Sequence, residues 1–189
     1  MKHFFDIGAN VGQTFADFLN PSTEFDEWAI WCFEPSPRHL PALMAEAQKQ
    51  SARYKEIHVC PFGMRGKSEV ARFYQKDDPR GDSFEFFMAS CHEPKNEDFG
   101  YKLEVPAFGI VEFITGMTKP EDKILLKLDA EGSEYSILTA LLESDEACAR
   151  ISEILVEWHR YVPAPGDKTE DEIWKACAAR NLLIRKWQF

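Results

Sequence analysis

No apolar run in this chain approaches the roughly 20 residues that a membrane-spanning helix requires, and the first strand pattern begins almost at Met1. The expectation is a chain with no membrane span, secretory leader or N-terminal accessory domain. Basic residues are in the minority, 22 Lys and Arg against 32 Asp and Glu, and they form no stripe. A nucleic-acid surface needs clustered cations to displace phosphate counterions, so nucleic acid is not an expected partner. The five cysteines, Cys32, Cys60, Cys91, Cys148 and Cys177, include no CxxC pair. An odd, dispersed set reads as reduced thiols and a cytoplasmic setting, with Cys32 and Cys60 as small core residues. There is no internal repeat, and no linker divides the chain.

What is present is enough for one folded unit. With 189 residues, 44% hydrophobic and 13% aromatic, residues 1–189 read as a single domain with a substantial core. Strand and helix patterns alternate, which predicts a mostly parallel central sheet flanked by helices. Strands are expected at Glu56–Cys60, Lys67–Tyr74, Leu103–Phe108, Ile124–Leu128, Ile151–Trp158 and Leu182–Phe189, after two N-terminal ones. Phe15, Phe18 and Leu19 mark a short helix, and a further helix opens at Ser36-Pro37 or afresh at Pro41. Val111–Ile114 reads as a short helical turn, and a helix beyond the Ile124–Leu128 strand buries Ile137, Leu138, Leu141 and Leu142. Thr169 and Glu172 are spaced as a capping box for a last helix. Residues 75–100 are polar, carry Phe84, Phe86 and Phe87, and have no clear period. They read as a lid or acceptor-binding loop.

The chemistry-bearing stretch is the first strand and the turn after it, Phe4-Phe5-Asp6-Ile7-Gly8-Ala9-Asn10-Val11-Gly12-Gln13-Thr14. A second apolar run, Trp28–Phe33, ends at Glu34. Strand, glycine turn, helix, strand and terminal acid make a nucleoside-binding unit, in which the acid accepts the ribose hydroxyls. Dinucleotide sites place glycine at the turn's second key position, where the pyrophosphate presses on the backbone. Here that position is Asn10, and no third glycine follows Gly12. Asparagine tolerates the left-handed backbone such a turn needs, yet its side chain occupies the phosphate space. A phosphate-free ligand such as S-adenosylmethionine fits better. The remaining alternatives are a nucleotide-dependent oxidoreductase and a non-catalytic cofactor-binding module of the same fold.

A second constellation, Lys127-Leu128-Asp129-Ala130-Glu131-Gly132-Ser133-Glu134, lies where a central strand meets its helix. Ligands of open α/β sheets bind at such carboxyl ends. Three acids together there bind something cationic or bear on chemistry. The plainer alternative is that Asp129 caps the helix while Glu131 and Glu134 complement its dipole.

With these motifs, Phe33-Glu34-Pro35-Ser36-Pro37 and Ile154-Leu155-Val156-Glu157-Trp158-His159 in the same order, the chain resembles the FkbM-type S-adenosylmethionine-dependent methyltransferases. The resemblance runs along nearly the whole chain. It implies a Rossmann-like class I methyltransferase fold and O-methylation of a sugar or other small-molecule hydroxyl, so the partner is a small-molecule or glycan acceptor. It departs from the pattern at Gly109-Ile110-Val111, where the family often has Thr-Leu-Asp, so that a polar contact is lost or supplied by Glu112. The short tail leaves room for only a shortened C-terminal hairpin.

By this resemblance Gly8, Asn10 and Gly12 carry the methionine end of the cofactor, with Asp6 orienting the turn. Gln13 and Thr14 open a helix whose free N–H groups favour a carboxylate. Glu34 and Pro35 meet the ribose side, and Pro61-Phe62-Gly63-Met64 forms the adenine wall. His159 is the first candidate for a general base, because imidazole titrates near neutrality. Asp129 is its rival, touching either the cofactor's amino group or the acceptor hydroxyl. Asp129, Glu131, Glu157 and His159 are also candidate ligands for a divalent metal, although their spacing does not demand one.

Overall fold

The structure is a computed structural model in which residues 1–75, 89–90, 101–159 and 163–187 are described. The segment expected to form a lid, 75–100, lies outside them except for residues 75, 89 and 90.

Apolar runs too short for helices and rich in β-branched and aromatic residues set the strands. In chain order the elements are β1 (Lys2–Ile7), β2 (Ala29–Phe33), α1 (Leu40–Gln50), β3 (Glu56–Cys60), β4 (Gly63–Arg65), β5 (Glu69–Gln75), β6 (Ala89–Ser90) and β7 (Tyr101–Gly109). They continue with α2 (Ile110–Met117), β8 (Lys123–Leu128), α3 (Glu134–Glu143), α4 (Asp145–Cys148), β9 (Ile151–Val156), α5 (Glu170–Ala179) and β10 (Leu183–Lys186). A helical segment from Gln13, with a π-helical turn at Phe15–Leu19, joins β1 to the second half of the unit.

The main sheet has the order β10-β9-β8-β1-β2-β3, and every pairing in it is parallel. Strands buried on both faces explain the near-continuous apolar runs. Alternate residues of one strand feed opposite cores. Phe5, Ile7, Trp31, Phe33, Leu126 and Leu128 pack with α2, α3 and α5 on one side. Phe4, Ile30, Cys32, Leu125 and Leu155 pack with Phe15, Leu19 and Leu43 on the other.

A second sheet, β4-β7-β5-β6, stands beside the first. Its long pairing, β5 with β7, is antiparallel, while the three residues of β4 run parallel to β7. Two boundaries also move. The first full helix starts at Leu40, with Pro41 inside its first turn, where a missing N–H costs nothing. The expected turn at Val111–Ile114 is a full helix, α2, and Ser68 Oγ accepts the Gly109 N–H at its start. Ser68 Oγ also donates to Glu112, so the polar contact missing from Gly109-Ile110-Val111 is rebuilt from another strand connection. Among the described residues no antiparallel strand follows β10, which closes the sheet as a parallel edge.

The capping box of α5 is formed. Glu172 N donates to Thr169 Oγ1 at 3.3 Å and Thr169 N donates to Glu172 Oε2 at 2.8 Å. Thr169→Ala is expected to cost about 1 kcal/mol, read as a lower urea midpoint with unchanged slope.

Candidate active site

Parallel register brings the strand ends to one edge. Ile7 lies opposite both Phe33 and Leu128, Phe33 opposite Cys60, and Leu128 opposite Val156. The next residue along each strand is therefore delivered to the same rim: Gly8, Glu34, Pro61, Asp129 and Glu157. The chain leaves β1 towards β2 and β3 and returns to β8 on the other flank of β1, so Gly8 and Asp129 face each other at the switch point.

The turn after β1 alternates left-handed residues, Gly8 at φ 82°, Asn10 at φ 51° and Gly12 at φ 93°. Asparagine is among the few non-glycine residues that adopt this conformation without large strain. Gly8 and Ala9 both donate backbone N–H groups to Phe33 O at 3.0 Å, which folds the turn back over β2. There it meets Glu34. The Glu34 carboxylate is buried, with Oε2 accepting from Asn10 N at 3.0 Å and Oε1 accepting from Ser36 N at 2.7 Å. His39 Nδ1 lies 3.4 Å from Oε1. Each carboxylate oxygen has two lone pairs, so acceptor capacity remains after these bonds.

The cleft beside this pair encloses about 550 Å³ of non-atom space, a figure that includes open solvent. Gly8, Asn10, Glu34, Pro35, Gly63, Met64, Asp129 and Glu131 line it. A second recess behind Asn10 is lined by Gln13, Thr14, Asp17, Lys127, Asp129 and Glu157.

Lys127 ties the two halves of the rim together. It sits opposite Asp6 in the β1–β8 register, with its side chain 3% exposed. Its ammonium lies 2.9 Å from Asp6 Oδ1, donates to Gly8 O at 3.0 Å, and reaches Asp129 Oδ2 at 3.4 Å. Burial works against the charged amine, but Asp6 and Asp129 outweigh it and raise its pKa.

The acidic loop before α3 is organised by Glu134, whose residue is fully buried. Glu134 Oε1 accepts from Ala130 N at 2.8 Å and Oε2 accepts from Gly132 N at 2.9 Å. His159 Nδ1 lies 2.9 Å from the same Oε1. The other ring nitrogen, Nε2, lies 3.3 Å from Glu131 Oε2 and 3.8 Å from Asp129 Oδ1. Glu131 itself is held in the left-handed region at φ 49°. Burial pushes the Glu131 carboxyl up, to about 7, with His159 opposing and Asp129, Glu134 and Glu157 adding to the rise. Burial alone would lower His159, but its bond to Glu134 and the pull of Glu134, Glu131 and Asp129 hold it at about 9.

That value corrects the expectation that His159 titrates near neutrality. The sequence placed it beside Glu157, whereas three other carboxylates surround it and keep the ring protonated at neutral pH. The structure also places the other candidates. The Phe62 ring packs on Phe108 at 4.5 Å and Phe33 at 5.9 Å, while Gly63 and Met64 of the expected wall line the cleft together with Pro35. Gly12 faces Glu46 and Leu43 of α1, and Asp6 faces Lys127, so both shape the turn from behind. Glu157 lines the second recess and falls outside the cluster of Asp129, Glu131 and His159. Asp129 pairs with Lys127 and does not cap α3, whose N-cap residue is Ser133. Lys127 and His39 received no functional role from the sequence, and Glu134 was read only as one of three acids at the strand end. Lys127 carried a signal, as the charged residue inside an otherwise apolar central strand.

A parallel sheet in this order, with a glycine–asparagine turn, a buried acid beyond the second strand and an acidic loop at the switch point, defines a Rossmann-like α/β fold. The match to the Methyltransferase FkbM domain covers residues 6–176, and the chain belongs to that family. Among solved structures, the methyltransferase FkbM from Methylobacillus flagellatus KT is similar at 15% identity, with a TM-score of 0.46. The similarity covers 76% of this chain and 30% of that one, so this chain spans about a third of that protein's length. No curated protein matches the sequence.

Proposed function

We propose that this chain binds S-adenosylmethionine in the cleft and transfers its methyl group to a hydroxyl of a sugar or other small molecule. The observation that carries the reading is the joining of Asn10 to Glu34. The acid is held by two amide N–H groups at the place where a ribose would lie, and Asn10 stands where a pyrophosphate would need bare backbone. The buried Asn10 Oδ1 has no hydrogen-bond partner among the described residues, which suits a ligand donor such as an ammonium. Asp17, Asp129 and Glu157 around the second recess complement the ammonium of a zwitterionic amino-acid tail and the sulfonium. Membership of the methyltransferase family supports the same chemistry.

A bound S-adenosylmethionine would supply the methyl group and leave as S-adenosylhomocysteine, while the proton of the acceptor hydroxyl would pass to water at the open side of the cleft. Alignment supplies most of the acceleration. Asp129, lining both the cleft and the recess, is the group we assign to orient the hydroxyl, with His159 bracing the acidic loop behind it.

Calorimetry tests the reading. S-adenosylhomocysteine is expected to bind and NAD to give no heat, and Glu34→Ala should weaken S-adenosylhomocysteine at least tenfold, about 1.4 kcal/mol. Tight NAD binding would turn the reading towards an oxidoreductase, and silence with both ligands towards a non-catalytic module. An unchanged constant in Glu34→Ala would remove the acid from the ribose site.

A further inference from the structure

We infer that Asp129, Glu131 and His159 form a site for one divalent cation at the edge of the cleft. One ligand atom from each side chain lies within 4.8 Å of the others. Metal–ligand bonds near 2.1 Å put neighbouring ligands about 3 Å apart and opposite ones about 4.2 Å apart, so small side-chain shifts close the set around an ion.

Three features beyond the proximity of acids point to a cation. One of the three donors is an imidazole, and its orientation is fixed from outside the set. His159 Nδ1 lies 2.9 Å from Glu134, and Glu134 is itself clamped by Ala130 N and Gly132 N. With Nδ1–H held by a buried carboxylate, it is Nε2, facing Glu131 and Asp129, that a bound ion would take in exchange for its proton. This is the carboxylate–histidine–metal relationship found where protein metals are held. Next, Asp129, Glu131, Glu134 and Glu157 gather around two cationic side chains, Lys127 and His159, and Lys127 also serves Asp6. A divalent ion cancels that surplus. Finally, Asp129 and Glu131 both line the cleft, so an ion between them keeps positions open towards it. Two carboxylates suit Mg²⁺ and Mn²⁺, and the imidazole tilts the set towards a first-row transition ion. A role for the ion in binding the acceptor hydroxyl and lowering its pKa rests on the methyl-transfer reading above; the site itself does not.

The test is titration of MnCl₂ into the chelator-treated chain, followed by calorimetry and by the paramagnetic resonance signal of free Mn²⁺. Saturation at one ion per chain is expected. Glu131→Gln and His159→Gln should each weaken it at least tenfold, and Glu134→Gln about 10- to 100-fold through the misdirected ring. Glu143→Gln, an exposed acid on α3, should change nothing. Absence of saturable binding below about 1 mM overturns the inference, and so does wild-type affinity in Glu131→Gln. Should His159→Gln fail to fold by circular dichroism, Glu131→Gln on the partly exposed loop decides alone. S-adenosylhomocysteine calorimetry on the same sample separates the two ideas. Cofactor binding without Mn²⁺ binding sinks only the cation site, and Mn²⁺ binding without cofactor binding sinks only the methyltransferase reading.

Discussion

Gly8→Ala should cost the protein more than about 4 kcal/mol, a size reserved for changes with a specific structural cause. A β-carbon built at Gly8 would lie 1.7 Å from the backbone oxygen of Asp129 and 2.7 Å from its carbonyl carbon. No rotamer relieves this contact, because both partners are main chain. The backbone at φ 82° adds the left-handed penalty of about 1–2 kcal/mol. Relief would require β1 and β8 to part at their carboxyl ends, where Asp129 N donates to Ile7 O and Lys127 to Gly8 O. Gly166 supplies the control. It has φ 98°, but nothing lies within 4 Å of an added β-carbon, so Gly166→Ala should show only the conformational cost of about 1–2 kcal/mol. Urea unfolding of the two variants separates clash from conformation. A Gly8→Ala midpoint equal to that of Gly166→Ala would show that the switch point is not packed this tightly.

The same rim explains how much of the molecule could be read from its sequence. Apolar runs at Trp28–Phe33 and Ile124–Leu128 and the alternation with helices were enough for a parallel sheet, because strands buried on both faces have no polar period to hide them. The turn at Gly8-Ala9-Asn10-Val11-Gly12 was legible because positive φ restricts residue choice, and the residues at 8, 10 and 12 obey it. The second sheet was not legible. β4 has three residues, and its pairing with β7 joins segments more than forty residues apart, which no local pattern records.

The raised pKa of His159 was hidden for a related reason. Sequence neighbours suggested Glu157, but side chains of a strand end are surrounded by whatever the adjacent loop delivers. The loop from β8 to α3 delivers Asp129, Glu131 and Glu134. Glu134 reads from sequence as an acid complementing a helix dipole. In the structure it does more, closing the loop over two amides and seating the imidazole. Motif order thus placed these residues on one rim, while their protonation and partners required tertiary contacts.

Lys127→Met should destabilise the chain by about 3–5 kcal/mol, the range for removing one member of a buried ion pair. The reason lies less in the bond lost than in the charge left behind. The Asp6 side chain is 2% exposed and would face apolar sheet on both sides, next to Cys32 in the β2 register. Methionine keeps the length of the lysine stem, so packing changes little and the measurement isolates the charge. Replacing Asp6 as well, in Asp6→Asn with Lys127→Met, removes the stranded anion, and the double variant should be more stable than Lys127→Met alone. Because the folded pKa of Lys127 is raised, its contribution is complete below the ordinary lysine value and is lost only as pH rises through the higher folded value. The wild-type advantage over Lys127→Met should therefore be constant from pH 6 to about 9. The variant also frees Gly8 O and Asp129 Oδ2, so S-adenosylhomocysteine affinity should fall with stability. If Lys127→Met costs less than about 1 kcal/mol, or if the double variant costs the sum of the two singles, Asp6 and Lys127 act independently. The pair would then be two buried groups with separate partners, and the rim would be joined by backbone alone.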